Sequence, residues 1–345
     1  MRILVEILHP AHVHFFRNAI AEWRARGDEV LVLSREKDVA NDLLEAYSIP
    51  YRSISRLGSS KLSLITEMVQ RDARMLWAAL RFKPDVLVGI MGVTIVQVGK
   101  IIGKPAIVFY DTENAKVTNR FVYPLAHSVC TPECYSAPVQ GNHITYPGYH
   151  ELAYLHPDRF EPDAGVVGRA GIDASEEYFV LRFVSWQASH DVGERGFTLG
   201  LKRELVALLQ EHGRVLISSE QELPADLEEL RFSRPPAEMH HFLGRAKMLI
   251  GESATMASEA AVMGVPAFYI ADTGRGYTDE LQERYGLVWN FGLMDAPAAL
   301  TEVSRILSEA SFSEQFAKKH ARMLEERVDT TQWLMAYVDS VVAPG

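Results

Sequence analysis

Met239-His240-His241-Phe242-Leu243-Gly244-Arg245-Ala246-Lys247-Met248-Leu249-Ile250-Gly251-Glu252-Ser253-Ala254-Thr255-Met256-Ala257-Ser258-Glu259-Ala260-Ala261-Val262-Met263-Gly264-Val265-Pro266-Ala267 is the stretch that decides the fold. Its apolar run 248–251 reads as a buried strand, small polar residues make a turn, and a helix rich in small side chains opens at once over 255–263. A further strand follows at 267–270. The start of such a helix presents free N–H groups and the positive end of a dipole, which is what a diphosphate requires. Glu259 lies four residues after Thr255, one helical turn in, where its carboxylate could accept hydrogen bonds from the two hydroxyls of a ribose.

The same alternation runs through the rest of the chain. In the first third, strands are expected at 3–8, 30–34, 51–54, 86–90, 106–110 and 128–131, separated by helices at 13–26, 39–47, 62–82, 94–102 and 115–125. Arg26-Gly27-Asp28, Lys83-Pro84-Asp85 and Gly103-Lys104-Pro105 mark the breaks. Strands separated by helices return on the same side of a sheet, so right-handed crossovers and a parallel sheet follow. From 146 to 176 the alternation fails, and Pro147, Gly148, Pro157, Pro162, Gly165, Gly168 and Gly171 accumulate, which reads as an interdomain connection. A second series has strands at 178–184, 214–218, 248–251 and 267–270, with helical stretches near 199–211, 236–245 and 255–263. After Asp295 the chain reads as helical to its end. The expected fold is α/β, with an N-terminal Rossmann-like domain at 1–155, a linker at 156–176, a C-terminal Rossmann-like domain at 177–312, and closing helices at 313–345 packing back across the domains. The carboxyl ends of both parallel sheets are expected to face a cleft, where open α/β sheets bind ligands.

Composition narrows the function. The 345 residues carry 35 basic and 45 acidic side chains, a formal net charge of −10, which excludes a general nucleic-acid binder. The 48% hydrophobic content is globular, and the length favours two domains. Glu6 interrupts the apolar N-terminal run and no small-residue cleavage site follows, so it does not read as a signal peptide. No apolar stretch approaches the roughly 20 residues of a spanning helix. The expected location is cytoplasmic. Cys130 and Cys134 form a lone C-x3-C, a poor zinc site and a poor disulfide framework, so no metal is expected there.

Four more segments leave strands where chemistry is expected. His9-Pro10-Ala11-His12-Val13-His14-Phe15-Phe16 opens the first helix, and His12 should look into the cleft. Its unperturbed pKa, near 6.5, suits removal of a hydroxyl proton; His9 and His14 are expected to cap and to pack. Asp111 and Glu113 follow the strand at 106–110, where a carboxylate could orient a histidine or move a proton; helix capping is the alternative for either. Arg182, in Leu181-Arg182-Phe183-Val184-Ser185-Trp186-Gln187-Ala188-Ser189-His190-Asp191, could meet a diphosphate with a bidentate fork. Trp186 could stack on a base or sugar, and His190 with Asp191 is a weaker pair. Ala271-Asp272-Thr273-Gly274-Arg275-Gly276-Tyr277-Thr278 is a glycine-rich turn.

The segment from Met239 to Pro266 resembles the nucleotide-sugar signature of GT-B glycosyltransferases and of the hydrolysing and non-hydrolysing UDP-N-acetylglucosamine 2-epimerases. More narrowly, His9-Pro10-Ala11-His12-Val13-His14-Phe15-Phe16 and the Arg182 segment resemble archaeal and bacterial GT-B-like proteins known as a domain of unknown function, over most of the chain. The superfamily resemblance implies that Ser253, Ala254, Thr255 and Met256 hold the diphosphate and Glu259 the ribose. It also implies that a histidine in the position of His12 acts on the acceptor hydroxyl. In the 2-epimerases the loop after the fourth strand carries a catalytic aspartate, whereas here it reads Gly89-Ile90-Met91-Gly92-Val93-Thr94 without a carboxylate. In the loop at 271–278, where GT-B enzymes touch the donor sugar, the usual acidic-glutamine pair is missing.

The expected activity is transfer of a sugar from a nucleotide diphosphate donor, UDP-linked by resemblance, to a hydroxyl acceptor in cell-surface glycan or glycolipid synthesis. No cofactor or metal is required. His12 would be the base, Asp111 or Glu113 would orient it, and Arg182 with Ser253–Met256 would stabilise the departing diphosphate. The alternatives are a nucleotide-sugar 2-epimerase or hydrolase using Asp111 and Glu113, and a non-catalytic nucleotide-sugar binder. The superfamily admits acceptors on lipid carriers, and hence contact with the inner face of the membrane. All of this rests on the amino end of the helix beginning at Thr255 cradling a pyrophosphate across a gap from His12; a Glu259 both walled off from solvent and remote from that gap would overturn it.

Overall fold

In the computed structural model, residues 1–37, 39–56, 61–113, 116–184 and 196–343 are described, apart from the side chains of 61–65 and 116–117. The chain divides into two compact units, Met1–Tyr154 with Val328–Gly345, and Leu155–Arg327.

The first unit is built from β1 (Arg2–Ile7), α1 (Pro10–Ala25), β2 (Glu29–Glu36), α2 (Ala40–Ala46), β3 (Arg52–Arg56), α3 (Lys61–Phe82), β4 (Val86–Ile90), α4 (Val93–Ile102), β5 (Ala106–Phe109), α5 (Lys116–Val122), β6 (Ser128–Pro132) and β7 (His143–Tyr146). A short α6 (Leu152–Leu155) follows. All its strands pair in parallel, in the order β3-β2-β1-β4-β5-β6-β7. The β-branched and leucine runs of β1 and β4 are buried on both faces, as central parallel strands must be. On one face Leu4, Leu33, Leu87 and Val108 meet Met75 and Ala79 of α3 and Ile95 and Val98 of α4.

The second unit holds α7 (Ala164–Gly168), β8 (Tyr178–Phe183), α8 (Leu199–Gln210), β9 (Arg214–Ser219), α9 (Ala225–Glu228), α10 (Met239–Leu243), β10 (Met248–Gly251), α11 (Ala254–Val262), β11 (Ala267–Ile270), α12 (Gly276–Glu280), β12 (Val288–Phe291), α13 (Ala296–Ser308) and α14 (Phe312–Glu326). Its parallel sheet runs β12-β11-β10-β8-β9. Phe179, Leu181, Ile217, Ile250 and Phe268 form its core with Leu205 and Leu209 of α8 and Val303 of α13.

Several boundaries differ from expectation. The stretch 156–176 is not a linker but part of the second unit. There Asp163 caps α7 by accepting from the Gly165 N–H at 2.7 Å, and its own N–H donates to His241 Nδ1 at 3.0 Å. Of the closing helices, α14 stays with the second unit, where His320 Nε2 reaches the carbonyl of Val262 at 2.8 Å. Only the last helix, α15 (Thr330–Val342), joins the first. Its buried Thr330 and Thr331 donate to the carbonyls of Tyr149 and Ala153, each at 2.7 Å, and Trp333 packs on Tyr146. Sequence reading missed β7 and β12, two edge strands of four residues each.

Candidate functional site

Open parallel sheets bind ligands beyond the carboxyl ends of their strands, at the point where strand order reverses. In the second unit that point lies between β8 and β10, where Gly251 is in register with Arg182. The approach is tight: a Cβ on Gly251 would sit 2.4 Å from the Arg182 carbonyl oxygen, so only glycine ends this strand without pushing β8 away. Glu252 then turns inward, and its buried carboxylate accepts from the N–H groups of Val184 at 3.1 Å and Phe197 at 2.6 Å. Ser253 is extended and caps α11: its Oγ accepts from the Met256 N–H at 3.3 Å, and its carbonyl from the Ala257 N–H at 3.0 Å. Ser253, Ala254 and Thr255 are half-buried and Met256 is buried. Helix geometry gives the N–H groups of Ala254 and Thr255 no intrahelical partner, and they carry the positive end of the dipole.

Two residues assigned to the nucleotide are held differently from expectation. Glu259 is 5% exposed, and Oε1 accepts from His240 Nε2 at 2.9 Å. A carboxylate sealed in this way does not present both oxygens to a ribose, which corrects that assignment. It instead ties α10 to α11 beneath the turn. Arg182 donates from Nη1 to Ser218 Oγ at 2.9 Å and pairs through Nη2 with Glu220. The fork expected for a diphosphate is therefore spent on the end of β9. Trp186, His190 and Asp191 lie outside the described residues. A cavity of about 280 Å³ opens beyond β11 and β12, lined by Tyr269, Asp272, Thr273, Asn290 and Phe291. The glycine-rich turn that forms one wall is fixed by Tyr269, whose hydroxyl donates to the Thr273 carbonyl at 2.7 Å. A second cavity, of about 250 Å³, is lined by Arg2, Arg52, Trp77 and Arg81, at the opposite end of the first unit's strands from its turns.

In the first unit the reversal falls between β1 and β4. His9 is the N-cap of α1, with Nδ1 accepting from the Ala11 N–H at 3.3 Å, and Pro10 fixes the first helical position. His14 stacks on Tyr154 and meets the edge of Tyr47. His12 is buried, and its Nδ1 accepts from the Leu8 N–H at 3.2 Å. That bond places the proton of neutral His12 on Nε2. Burial, reinforced by His9 and His150 and opposed by Asp111, holds the imidazole well below its ordinary pKa, so it is neutral at pH 7.

Neither carboxylate orients His12, a second correction. Asp111 Oδ2 is 3.1 Å from Nδ1 of His150, and Oδ1 accepts from the Thr112 hydroxyl at 3.0 Å. Against the opposing effect of burial, the His150 imidazole and the Thr112 hydroxyl hold the Asp111 carboxyl down at about 2. Glu113 Oε1 instead faces the N–H and hydroxyl of Ser136, at 3.4 and 3.5 Å. His150 went unnoticed in the sequence because it lies in the stretch read as a hinge; its signal was its place four residues after β7. Glu6, in mid-β1, was also missed. Both its oxygens are buried without a hydrogen-bond partner among the described residues, and burial pushes the carboxyl up to about 7 against the pull of Arg71.

Comparison with known proteins gives the family and the fold. Residues 1–275 match the family described as "Protein of unknown function (DUF354)". An uncharacterized protein of Methanocaldococcus jannaschii is 23% identical over 130 residues, 38% of each protein, so the match spans well under half of that relative. Among solved structures, the UDP-GlcNAc 2-epimerase of Neisseria meningitidis bound to UDP-GlcNAc is similar over 99% of both chains, with a TM-score of 0.67 at 10% identity. The Streptomyces sp. SF2575 glycosyltransferase SsfS6 complexed with thymidine diphosphate matches over 99% of both chains, with a TM-score of 0.62 at 14% identity. MurG of Acinetobacter baumannii matches over 99% of this chain and 100% of its own, with a TM-score of 0.60 at 15% identity. These likenesses show the fold: two Rossmann-like domains of the GT-B type, each with a parallel sheet. Among the described residues no helix is long and apolar enough to cross a membrane.

Proposed function

This chain belongs to the DUF354 family, and from that premise and its GT-B fold we propose that it is a glycosyltransferase that moves a sugar from a nucleoside diphosphate to a hydroxyl acceptor. The observation that carries the reading is the β10–α11 turn. It places the dipole-bearing start of a nine-residue helix at the strand-order reversal of its sheet, with the Ala254 and Thr255 N–H groups left over by the Ser253 cap. Charge develops on the diphosphate as the glycosidic bond breaks, and fixed N–H donors stabilise it without reorganising. The named ligands of two similar structures, UDP-GlcNAc and thymidine diphosphate, support a nucleotide donor of this class. We assign the base or sugar attached to that diphosphate to the cavity beyond β11 and β12 of the same unit.

The epimerase or hydrolase reading asks Asp111 and Glu113 to work on the sugar, but each is engaged, by His150 and by Ser136 respectively. Transfer is therefore preferred. A thermal-shift screen of UDP-, GDP- and dTDP-sugars tests the donor. A ligand at 100 times its Kd adds about 2.7 kcal/mol to the folded state, a clear rise in Tm. The stabilising donor, incubated alone, should yield neither a C2 epimer nor rapid release of nucleotide. Epimer formation would replace transferase with epimerase.

A further inference from the structure

Two histidines in the first unit have opposite tautomers. His12 accepts at Nδ1 from the Leu8 backbone and so presents an N–H at Nε2. His150 faces Asp111 with Nδ1 at 3.1 Å; since that carboxylate is ionised, Nδ1 carries the proton and Nε2 keeps its lone pair. That Nε2 is buried and has no hydrogen-bond partner among the described residues. A buried nitrogen with a free lone pair carries a desolvation cost, and here that nitrogen belongs to the ring held by Asp111.

The surroundings hold His150 in place. Its ring packs on Phe15 of α1 at 4.4 Å between centroids and lies parallel to Tyr146 of β7. The segment carrying it is pinned on one side by Thr330 and Thr331 of α15, through the carbonyls of Tyr149 and Ala153. On the other, Asn18 and Arg17 of α1 donate to the carbonyls of Ala153 and Tyr154. The titratable groups around the ring are Asp111, which follows β5, His12 on α1 and Tyr146 on β7. An imidazole oriented by a buried carboxylate, with its other nitrogen left without a hydrogen bond among the described residues, is the arrangement of a general base, and Nε2 meets the acceptor hydroxyl or a water only once the surrounding side chains give way.

We infer that His150, oriented by Asp111, takes the proton of the acceptor hydroxyl, and that His12 serves beside it as a neutral hydrogen-bond donor through Nε2–H. The inference rests on the transferase reading above. In the step, the hydroxyl proton passes to His150 Nε2, directly or through one water. The oxygen's electron pair forms the new bond to the anomeric carbon, and the bond from that carbon to the diphosphate breaks with its pair leaving on the nucleoside diphosphate. Asp111 stabilises the imidazolium until the proton returns to solvent.

The decisive variant is His150→Asn, whose amide nitrogen can replace Nδ1 as the donor to Asp111 while Nε2 is lost. Its kcat should fall about 10²- to 10⁴-fold, the range for loss of a general base, with donor-induced thermal stabilisation unchanged. His12→Ala should lower the rate but keep the pH limb of proton release, whereas Asp111→Asn should shift that limb to lower pH. The tautomers are read independently of turnover by long-range 1H–15N correlation of the histidine rings in the wild-type protein. The expected pattern is Nδ1–H for His150 and Nε2–H for His12. Transfer with kcat of His150→Asn within threefold of wild type, or loss of the limb in His12→Ala, or the reverse tautomers, would overturn the assignment. Absence of transfer by the wild type from any sugar nucleotide would instead remove the transferase reading, and with it this role, while the tautomer measurement would still report the dyad.

Discussion

Proline at position 254 would remove one phosphate donor while leaving the helix intact. Ala254 is the first residue of α11, the position where proline is favoured because its N–H has no intrahelical partner. Ser253, with φ −105° and ψ 110°, already has the extended backbone that a residue before proline prefers. The Ser253 cap on the Met256 N–H is untouched. Folding stability should therefore stay within about 1 kcal/mol of wild type. A hydrogen bond to a charged group contributes about 1.5–3 kcal/mol, and each 1.4 kcal/mol is tenfold, so Ala254→Pro should bind the nucleoside diphosphate roughly 10- to 150-fold more weakly. Calorimetric titration at fixed salt, paired with a urea unfolding curve, makes the comparison. A folded Ala254→Pro protein that binds as tightly as wild type would refute the placement of the diphosphate at this turn.

Other substitutions probe the frame around the two turns. Gly251→Ala puts a methyl 2.4 Å from the Arg182 carbonyl, so β8 and β10 must part; a loss of about 1–3 kcal/mol or more is expected in chemical denaturation. Glu252→Ala removes the acceptor shared by the half-buried Val184 N–H and the buried Phe197 N–H, at about 1–3 kcal/mol for the latter left buried and unanswered, and lowers Tm accordingly. Glu6 gives a pH signature. Its carboxyl is raised from 4.5 in the unfolded chain to about 7, so the folded state binds the extra proton between those values, and stability falls as pH rises through 7. Glu6→Gln should then exceed wild type by about 3 kcal/mol above pH 8 and by little near pH 4. An equal difference at both pH values would show that Glu6 is not held protonated.

The periodic interior of the fold was readable from residues alone. Val86–Ile90 and Met248–Gly251 are short apolar runs bounded by turn residues, and burial on both faces leaves such runs few alternatives. The strands that escaped notice, His143–Tyr146 and Val288–Phe291, lie at sheet edges, where half-exposed residues mix polar and apolar types and the period fades. The stretch 156–176 misled for a related reason: its prolines and glycines shape short turns packed on α10 rather than a free connection. At the candidate site, local pattern placed the Ser253–Met256 turn and His12 at the ends of their strands. Pairing was not legible, because it depends on contacts between residues far apart in sequence. Asp111 meets His150, 39 positions on, instead of His12; Glu259 meets His240; Arg182 meets Glu220.

The central claim is that the first turn of α11 binds the diphosphate of a sugar nucleotide, and the backbone amides of that turn report on it directly. In 15N-labelled protein titrated with the nucleoside diphosphate that stabilises the fold, the amide resonances of Ala254 and Thr255 should move saturably, with the Kd measured by calorimetry. Saturable binding that leaves those two amides unmoved while others shift would contradict it.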